Sequence, residues 1–210
     1  MKNNEAHEPT DQVKDIVPTG TAKSRALRTR MKPELPTGLL AHIDRVVTVA
    51  GTLAHNHGAD LSQTLLAAQG HDLLRALPDR ELLEKAKTYG IKLLQVEHDQ
   101  PVLLHGPLAA LELRERFGLE DELVLEAIRW HTTGHPNFGL EAWAMFVADK
   151  VEPVKLAIRP ELQRIIAIAE HSLEAAALAY LELQADQGVR EGFELHPLAI
   201  ETRKALSVEQ

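Results

Sequence analysis

From Thr37 onward the apolar residues return every three or four positions, and nowhere do Val, Ile and aromatic residues alternate as they would in a strand. A chain patterned this way buries its apolar surface as an all-α domain of helices packed side by side. Leu40, Ile43, Val46, Val47, Ala50, Leu53 and Ala54 share one face of a first helix, which Thr37 is expected to cap and Gly58 to end. Asp60 is expected to cap a second helix, running through Leu65, Leu66 and Ala68 to His71. Further helices are expected over 79–89, from Pro107 to Gly118, from Asp121 to His131, over 139–151, as one long helix from Pro160 to Gly188, and after Pro197. Segments 91–104 and 132–138 read as loops.

Charge separates the first stretch from the rest. Residues 1–32 hold seven Lys/Arg and four Asp/Glu, a net of +3, which leaves −11 for the remainder of a chain whose formal charge is −8. With Pro9, Pro18 and Gly20 and no hydrophobic periodicity, residues 1–35 read as a flexible basic tail ahead of a domain over 36–210. Its KSRALRTRMK stretch suits an anionic partner as well as plain solvation. The acidic remainder and an aromatic content of 4% argue against a stable nucleic-acid complex, since both the positive field and the stacking platform are missing. The opening MKNNEAHEPTDQVKD lacks the apolar stretch of a signal peptide, and apolar runs such as 142–148 are too short to span a bilayer. The expected setting is cytoplasmic, with no membrane partner.

The chain has no cysteine, which removes disulfides, thiolate metal sites and cysteine nucleophiles. It has 11 histidines, and imidazole with carboxylate is the ligand set of iron, manganese and zinc enzymes. Several of these polar groups stand on apolar stripes. His131 follows Val124, Ala127 and Ile128 at i, i+3, i+4, i+7 spacing, Asp149 follows Ala142, Met145 and Phe146 in the same way, and His42 shares its stripe with Leu39, Ile43 and Val46. Each is expected to point inward. A buried aspartate costs several kcal/mol unless paired, so Asp149 needs a cation, either buried basic side chains or a metal. A lone inward histidine is ordinarily a hydrogen-bonded core residue. A set of them on separate helices, with the adjacent pair His71-Asp72, is hard to satisfy without a common centre, and helical bundles build metal sites in this way.

Taken in order, His42, His71-Asp72, His105, His131 and Asp149 resemble the H…HD…H…H…D series of the HD-domain metal-dependent phosphohydrolases. The stretches LLHGPLAA (103–110), AIRWHTTGHP (127–136), VADKVEP (147–153) and LHP with Thr202-Arg203 (195–203) are similar to the YqeK-type HD proteins, a family of symmetrical diadenosine tetraphosphate hydrolases. The similarity runs from about residue 38 to 206. It implies an HD-domain helical bundle holding two metal ions, divalent or mixed-valent, with iron expected and manganese suited to the same ligands. His42, His71, Asp72 and Asp149 would hold one ion, and Asp72 would bridge to a second held by His105 and His131. Asp72, Arg75 and His105 would be catalytic. Arg75 stands where the family has the lysine of HDxxK and would hold phosphate oxygens; Thr132, Thr133, Gly134 and His135 would line the phosphate and nucleoside pocket. The chain departs from the family at Leu39, often an arginine, at Gly70, usually bulky and apolar, and at Arg75, which keeps the charge but changes its shape and reach.

Phosphoanhydride hydrolysis needs an activated water, neutralised phosphoryl charge and positioning, and two metals about 3.5–4 Å apart supply all three. The expected reaction is attack of a metal-bridging hydroxide on one phosphorus, cleaving diadenosine tetraphosphate into two ADP. Because the body is acidic, a polyphosphate needs local cations: the metals, Arg75 and, as lesser candidates, Arg129 and Lys150. Two alternatives stay open, a phosphohydrolase of another nucleotide on the same centre and a non-catalytic nucleotide-binding regulatory module. His55 and His57 read as exposed residues favourable to a helix dipole, His7, His98 and His171 as surface residues, and Trp130 and Trp143 as core packing. The long helix is expected to close the bundle and to offer a homodimer face.

Overall fold

Helices α1 (Ala22–Met31) and α2 (Thr37–His57) open the part of the chain described by a computed structural model, which covers residues 20–208 of the 210. All seven expected face residues of α2 are buried, and the helix ends at Gly58 in the left-handed region, φ 69°. Thr37 is its first helical residue rather than its cap; Pro36 occupies the cap position. Helix α1 corrects the expected tail. Leu27 and Met31, one turn apart, are buried against α3 (Leu61–Gly70), and Lys32–Glu34 continue as a 3-10 turn. The basic stretch is bonded internally: Arg28 forks onto both Asp44 oxygens at 2.6 Å, and Arg30 donates to the Phe117 and Arg116 carbonyls at 2.6 and 2.8 Å. Residues 1–19 of the expected tail lie outside the described residues.

The helices that follow are α4 (Asp79–Thr88), α5 (Gln95–Asp99), α6 (His105–Phe117), α7 (Glu122–Arg129), α8 (Leu140–Lys150), α9 (Pro153–Ile158), α10 (Gln163–Ala169), α11 (Leu173–Glu191) and α12 (Pro197–Val208). Among the described residues there is no strand. Helix α8 is the centre: α2, α3, α7 and α11 all pack on it, and its Trp143, Met145 and Phe146 are fully buried. Helix α6 covers α7 and α3 on one side, with α4 packed on α6 and the turn before it, while α10 to α12 close the other. Asp60 and Asp121 cap α3 and α7 as expected, accepting from Gln63 N, and from Leu123 N and Val124 N.

Three expectations are corrected. The loop over 91–104 holds α5 and a 3-10 turn, Pro101–Leu104. Helix α6 begins at His105, two residues ahead of Pro107, because a proline within the first turn removes only an amide that has no intrahelical partner. The long helix from Pro160 is broken. A 3-10 turn and α10 precede α11, which Ser172 starts afresh by accepting from Ala175 N at 3.1 Å, and α11 runs past Gly188 to Glu191, capped by Gly192. No helix among the described residues is long and apolar enough to cross a membrane.

Candidate metal centre

Five segments bring the six expected side chains together. His42 lies in the second turn of α2. His71 and Asp72 follow Gly70, where α3 gives way to turns in which Leu73 N bonds Gly70 O and Arg75 N bonds Asp72 O. His105 starts α6, His131 follows the end of α7, and Asp149 sits in the last turn of α8. Gly70 explains itself: a Cβ there would meet Leu113 Cδ1 at 2.7 Å and Ile128 Cδ1 at 2.9 Å, so larger neighbours fill the space a bulkier residue would occupy. Gly106 allows the closest approach. A Cβ would stand 2.7 Å from Arg129 O, so only glycine lets α6 come near enough to α7 to set His105 against His131.

Asp72 divides its oxygens between two groups of imidazoles. Its Oδ2 is 3.5 Å from both His42 Nε2 and His71 Nε2; its Oδ1 is 3.1 Å from His105 Nε2 and 3.6 Å from His131 Nε2. Asp149 Oδ1 closes the first group, 3.2 Å from His42 Nε2 and 3.7 Å from His71 Nε2. Donor atoms about 2.1 Å from a shared ion stand roughly 3.0–3.4 Å apart, close to this spacing.

The tautomers are set from behind. The Nδ1–H groups of His71 and His131 donate to the Ala68 and Ile128 carbonyls at 2.8 and 2.7 Å, and that of His105 to the Val102 carbonyl. Their Nε2 lone pairs therefore all face the centre. His71 Nε2 is buried without a hydrogen-bond partner, and the Nε2 atoms of His105 and His131 face each other at 2.9 Å, lone pair to lone pair. Such a cluster is repulsive until a cation enters it, and buried carboxylate and neutral imidazole are the donors a divalent ion of the iron, manganese or zinc kind takes. The residues fit the group.

Electrostatics agree. Burial drives His131 down to about 4, with His105 and His71 adding to the effect against Asp72, so its ring is neutral near pH 7 and free to ligate. Burial also opposes charge on His71, but the Asp72 and Asp149 carboxylates outweigh it and hold its pKa above the ordinary value. Burial opposes ionisation of Asp72 and is outweighed by His71, His105 and His131; for Asp149 it is outweighed by Lys150, Lys155, His42 and His71. Both carboxyls sit well below the usual range and are ionised.

A cavity of about 310 Å³ opens onto this cluster, walled in part by Arg75, Thr132, Lys155, Tyr180, Gln184 and Phe193. Of the other expected residues, Thr133, Gly134, His135 and Arg129 are not part of that wall, whereas Lys150 is. Thr133 is buried with its hydroxyl donating to Gly134 O, Gly134 packs against Trp143, and His135 stacks on Trp130 with ring centroids 6.3 Å apart. Arg129 pairs with Glu126 at 3.1 Å. Lys150 is buried between the Phe146 and Tyr180 rings and donates to Asp149 Oδ2 at 2.7 Å and to His131 O at 3.1 Å. Of the histidines set aside, His55, His98 and His171 are exposed, while His57 Nε2 donates to Ala169 O at 2.7 Å and ties α2 to α10. Sequence reasoning missed Lys155 and the role of Glu152, although the motif VADKVEP contains the latter.

The class of protein this defines is a helical bundle with a buried His/Asp centre whose donors suit divalent metal. The HD domain family model matches residues 39–154, and the chain belongs to the HD-domain family. A protein of Halalkalibacterium halodurans named symmetrical bis(5'-nucleosyl)-tetraphosphatase is 32% identical over 184 residues, 86% of this chain and 95% of the relative. One of the same name from Bacillus subtilis is 30% identical over 148 residues, 70% and 78% of the two chains. A crystal structure from Clostridium acetobutylicum, described as a predicted HD superfamily hydrolase involved in NAD metabolism, superposes with a TM-score of 0.80 at 27% identity, covering 89% of this chain and 97% of the other.

Proposed function

We propose that this protein is a metal-dependent hydrolase that cleaves diadenosine tetraphosphate symmetrically into two ADP. The observation that carries the reading is the division of Asp72 between two imidazole groups at the floor of an open cavity, in a chain whose relatives bear the name of that activity. His42, His71, Asp72 and Asp149 would hold one ion, and Asp72, His105 and His131 the other. Iron is the ion we favour, with manganese acceptable to the same donors. When bound, such ions make water a nucleophile near neutral pH and neutralise phosphoryl oxygens.

The chain's own residues do the rest. The exposed Arg75 guanidinium reaches phosphate oxygens in the cavity and offers a fork of donors. Thr132 lines the same cavity, and Thr133, Gly134 and His135 follow it in the segment after α7. Lys150 keeps Asp149 ionised and oriented. In the reaction one P–O bond to water forms, the central bridging P–O bond breaks, and both protons of the water go to solvent near neutral pH, the second as the new phosphate hydroxyl of one ADP ionises. The leaving group is the terminal phosphate oxygen of ADP, whose basicity is low enough (phosphate second pKa about 6) to depart without a general acid. A cytoplasmic setting and a homodimer belong to the same proposal. Incubation of purified, metal-loaded protein with diadenosine tetraphosphate is expected to yield ADP alone. AMP with ATP, or no release from a protein that holds its metals, overturns the substrate. A nucleotide panel releasing orthophosphate or nucleoside instead supports another nucleotide phosphohydrolase. Binding of metal and nucleotide with no turnover of any of them supports the regulatory module.

A further inference from the structure

Two lysines compete for Asp149, and they are held differently. Lys150 is 8% exposed in its side chain, lies against two aromatic rings and bonds Oδ2 and a main-chain carbonyl. Lys155 is 35% exposed in its side chain and stands on the cavity wall, on the six-residue helix α9. Its Nζ donates to Asp149 O at 2.6 Å and to Asp149 Oδ1 at 2.7 Å. That oxygen also faces the Nε2 atoms of His42 and His71. An ammonium and a divalent ion against one carboxylate oxygen repel strongly in a buried site, so the two contacts exclude each other. Among the described residues the Lys155 ammonium bonds only that oxygen and the Asp149 main-chain carbonyl, and the cavity it lines lies beside it.

Resting on the phosphohydrolase reading above, we propose that Lys155 is an exchangeable cation. It neutralises Asp149 in protein without metal; once an ion takes Oδ1, its ammonium turns into the cavity and holds the polyphosphate chain of the substrate at oxygens beyond the reacting phosphorus. Arg75 and Lys155 then face the substrate from two walls of a cavity in an otherwise acidic body.

The test uses the full chain with Lys155→Gln and Lys155→Arg. Manganese(II) binding to stripped protein is followed by calorimetry, and inorganic tripolyphosphate binding is followed on manganese-loaded protein. Lys155→Gln is expected to bind manganese about fivefold more tightly, because a competing ion pair is gone, and tripolyphosphate about tenfold more weakly, because a charge-assisted bond is lost. Lys155→Arg is expected to restore tripolyphosphate binding. Manganese binding that is unchanged or weaker in Lys155→Gln overturns the exchange. Tripolyphosphate binding that is unchanged overturns the phosphate contact. A fall in melting temperature in both variants, with weaker metal binding, assigns Lys155 to joining α9 to α8 instead. Neither readout involves diadenosine tetraphosphate, so a wild type that releases no ADP sinks the substrate while this test stands.

Discussion

Three of the four imidazoles lean on a carbonyl three residues back, and the fourth does not. His42 is inside a continuous helix, where the carbonyl of Leu39 is used by the backbone ladder, and its Nδ1 faces Glu152 Oε1 at 3.6 Å. Glu152 is 1% exposed, accepts from Arg45 Nε at 2.5 Å, and caps α9 through the amides of Val154 and Lys155. Burial opposes its charge, but Arg45, the Val154 amide and His42 together outweigh burial and hold its carboxyl below the ordinary value. A carboxylate behind an imidazole fixes the ring and raises its basicity. Glu152→Gln is therefore expected to weaken metal binding about 10- to 100-fold in a calorimetric titration; unchanged affinity would restrict Glu152 to capping. Five of the six inward polar residues were legible one by one, since each breaks an apolar stripe or stands in the HD pair; His105 was legible only through the resemblance that the stretch LLHGPLAA carries. Glu152 was legible only as a letter in a motif, because its partner Arg45 lies 107 residues away in the chain.

At the scale of elements, the meeting of α6 and α7 depends on Gly106. Gly106→Ala would place a methyl 2.7 Å from Arg129 O and 3.1 Å from His131 Nδ1. It is expected to cost about 1–3 kcal/mol in a denaturant titration and to lower metal content as His105 withdraws from His131. A normal melt with full metal content would show that the helices can shift freely. Helices α4 and α6 are joined by Glu112, 3% exposed, which accepts from Lys85 Nζ at 2.5 Å and from Arg116 Nη1 at 2.7 Å. Burial opposes its charge, and the two cations outweigh burial, so its folded pKa lies below the ordinary value. Its stabilisation is complete above about pH 4.3, the unfolded value, and is lost as pH falls through the folded pKa. Glu112→Gln is expected to be less stable than wild type by about 1–3 kcal/mol at pH 7, with the gap narrowing in thermal melts between pH 5 and pH 3. Most helices were legible from their own periodicity and caps. Helix α1 was not, because only Leu27 and Met31 anchor it among charged residues and the surface they cover belongs to α3. The break between α10 and α11 was not, because Ser172 competes as a cap within an apolar run that reads as continuous.

At the scale of the whole molecule, the centre ties α2, α3, α6, α7 and α8 together, and it does so unfavourably while the Asp72 carboxylate and the facing lone pairs lack a metal ion. An ion that binds only the folded chain stabilises it by about 2.7 kcal/mol at a hundredfold excess over its dissociation constant. Stripping with a chelator is therefore expected to lower the melting temperature by about 5–10 °C for a chain of this size, reversed by added manganese in scanning calorimetry. No shift would mean that the centre holds no ion. The chain's own pattern determined that it is helical, where most helices run, and which polar residues turn inward, because helical periodicity and capping are local properties readable within one or two turns. Tertiary structure alone decided that Asp72 splits its oxygens between two groups of imidazoles, that Glu152 stands behind His42, and that Lys155 shares Asp149 with them. Those relations are distances of a few ångströms between segments up to 110 residues apart, set by how closely the helices pack.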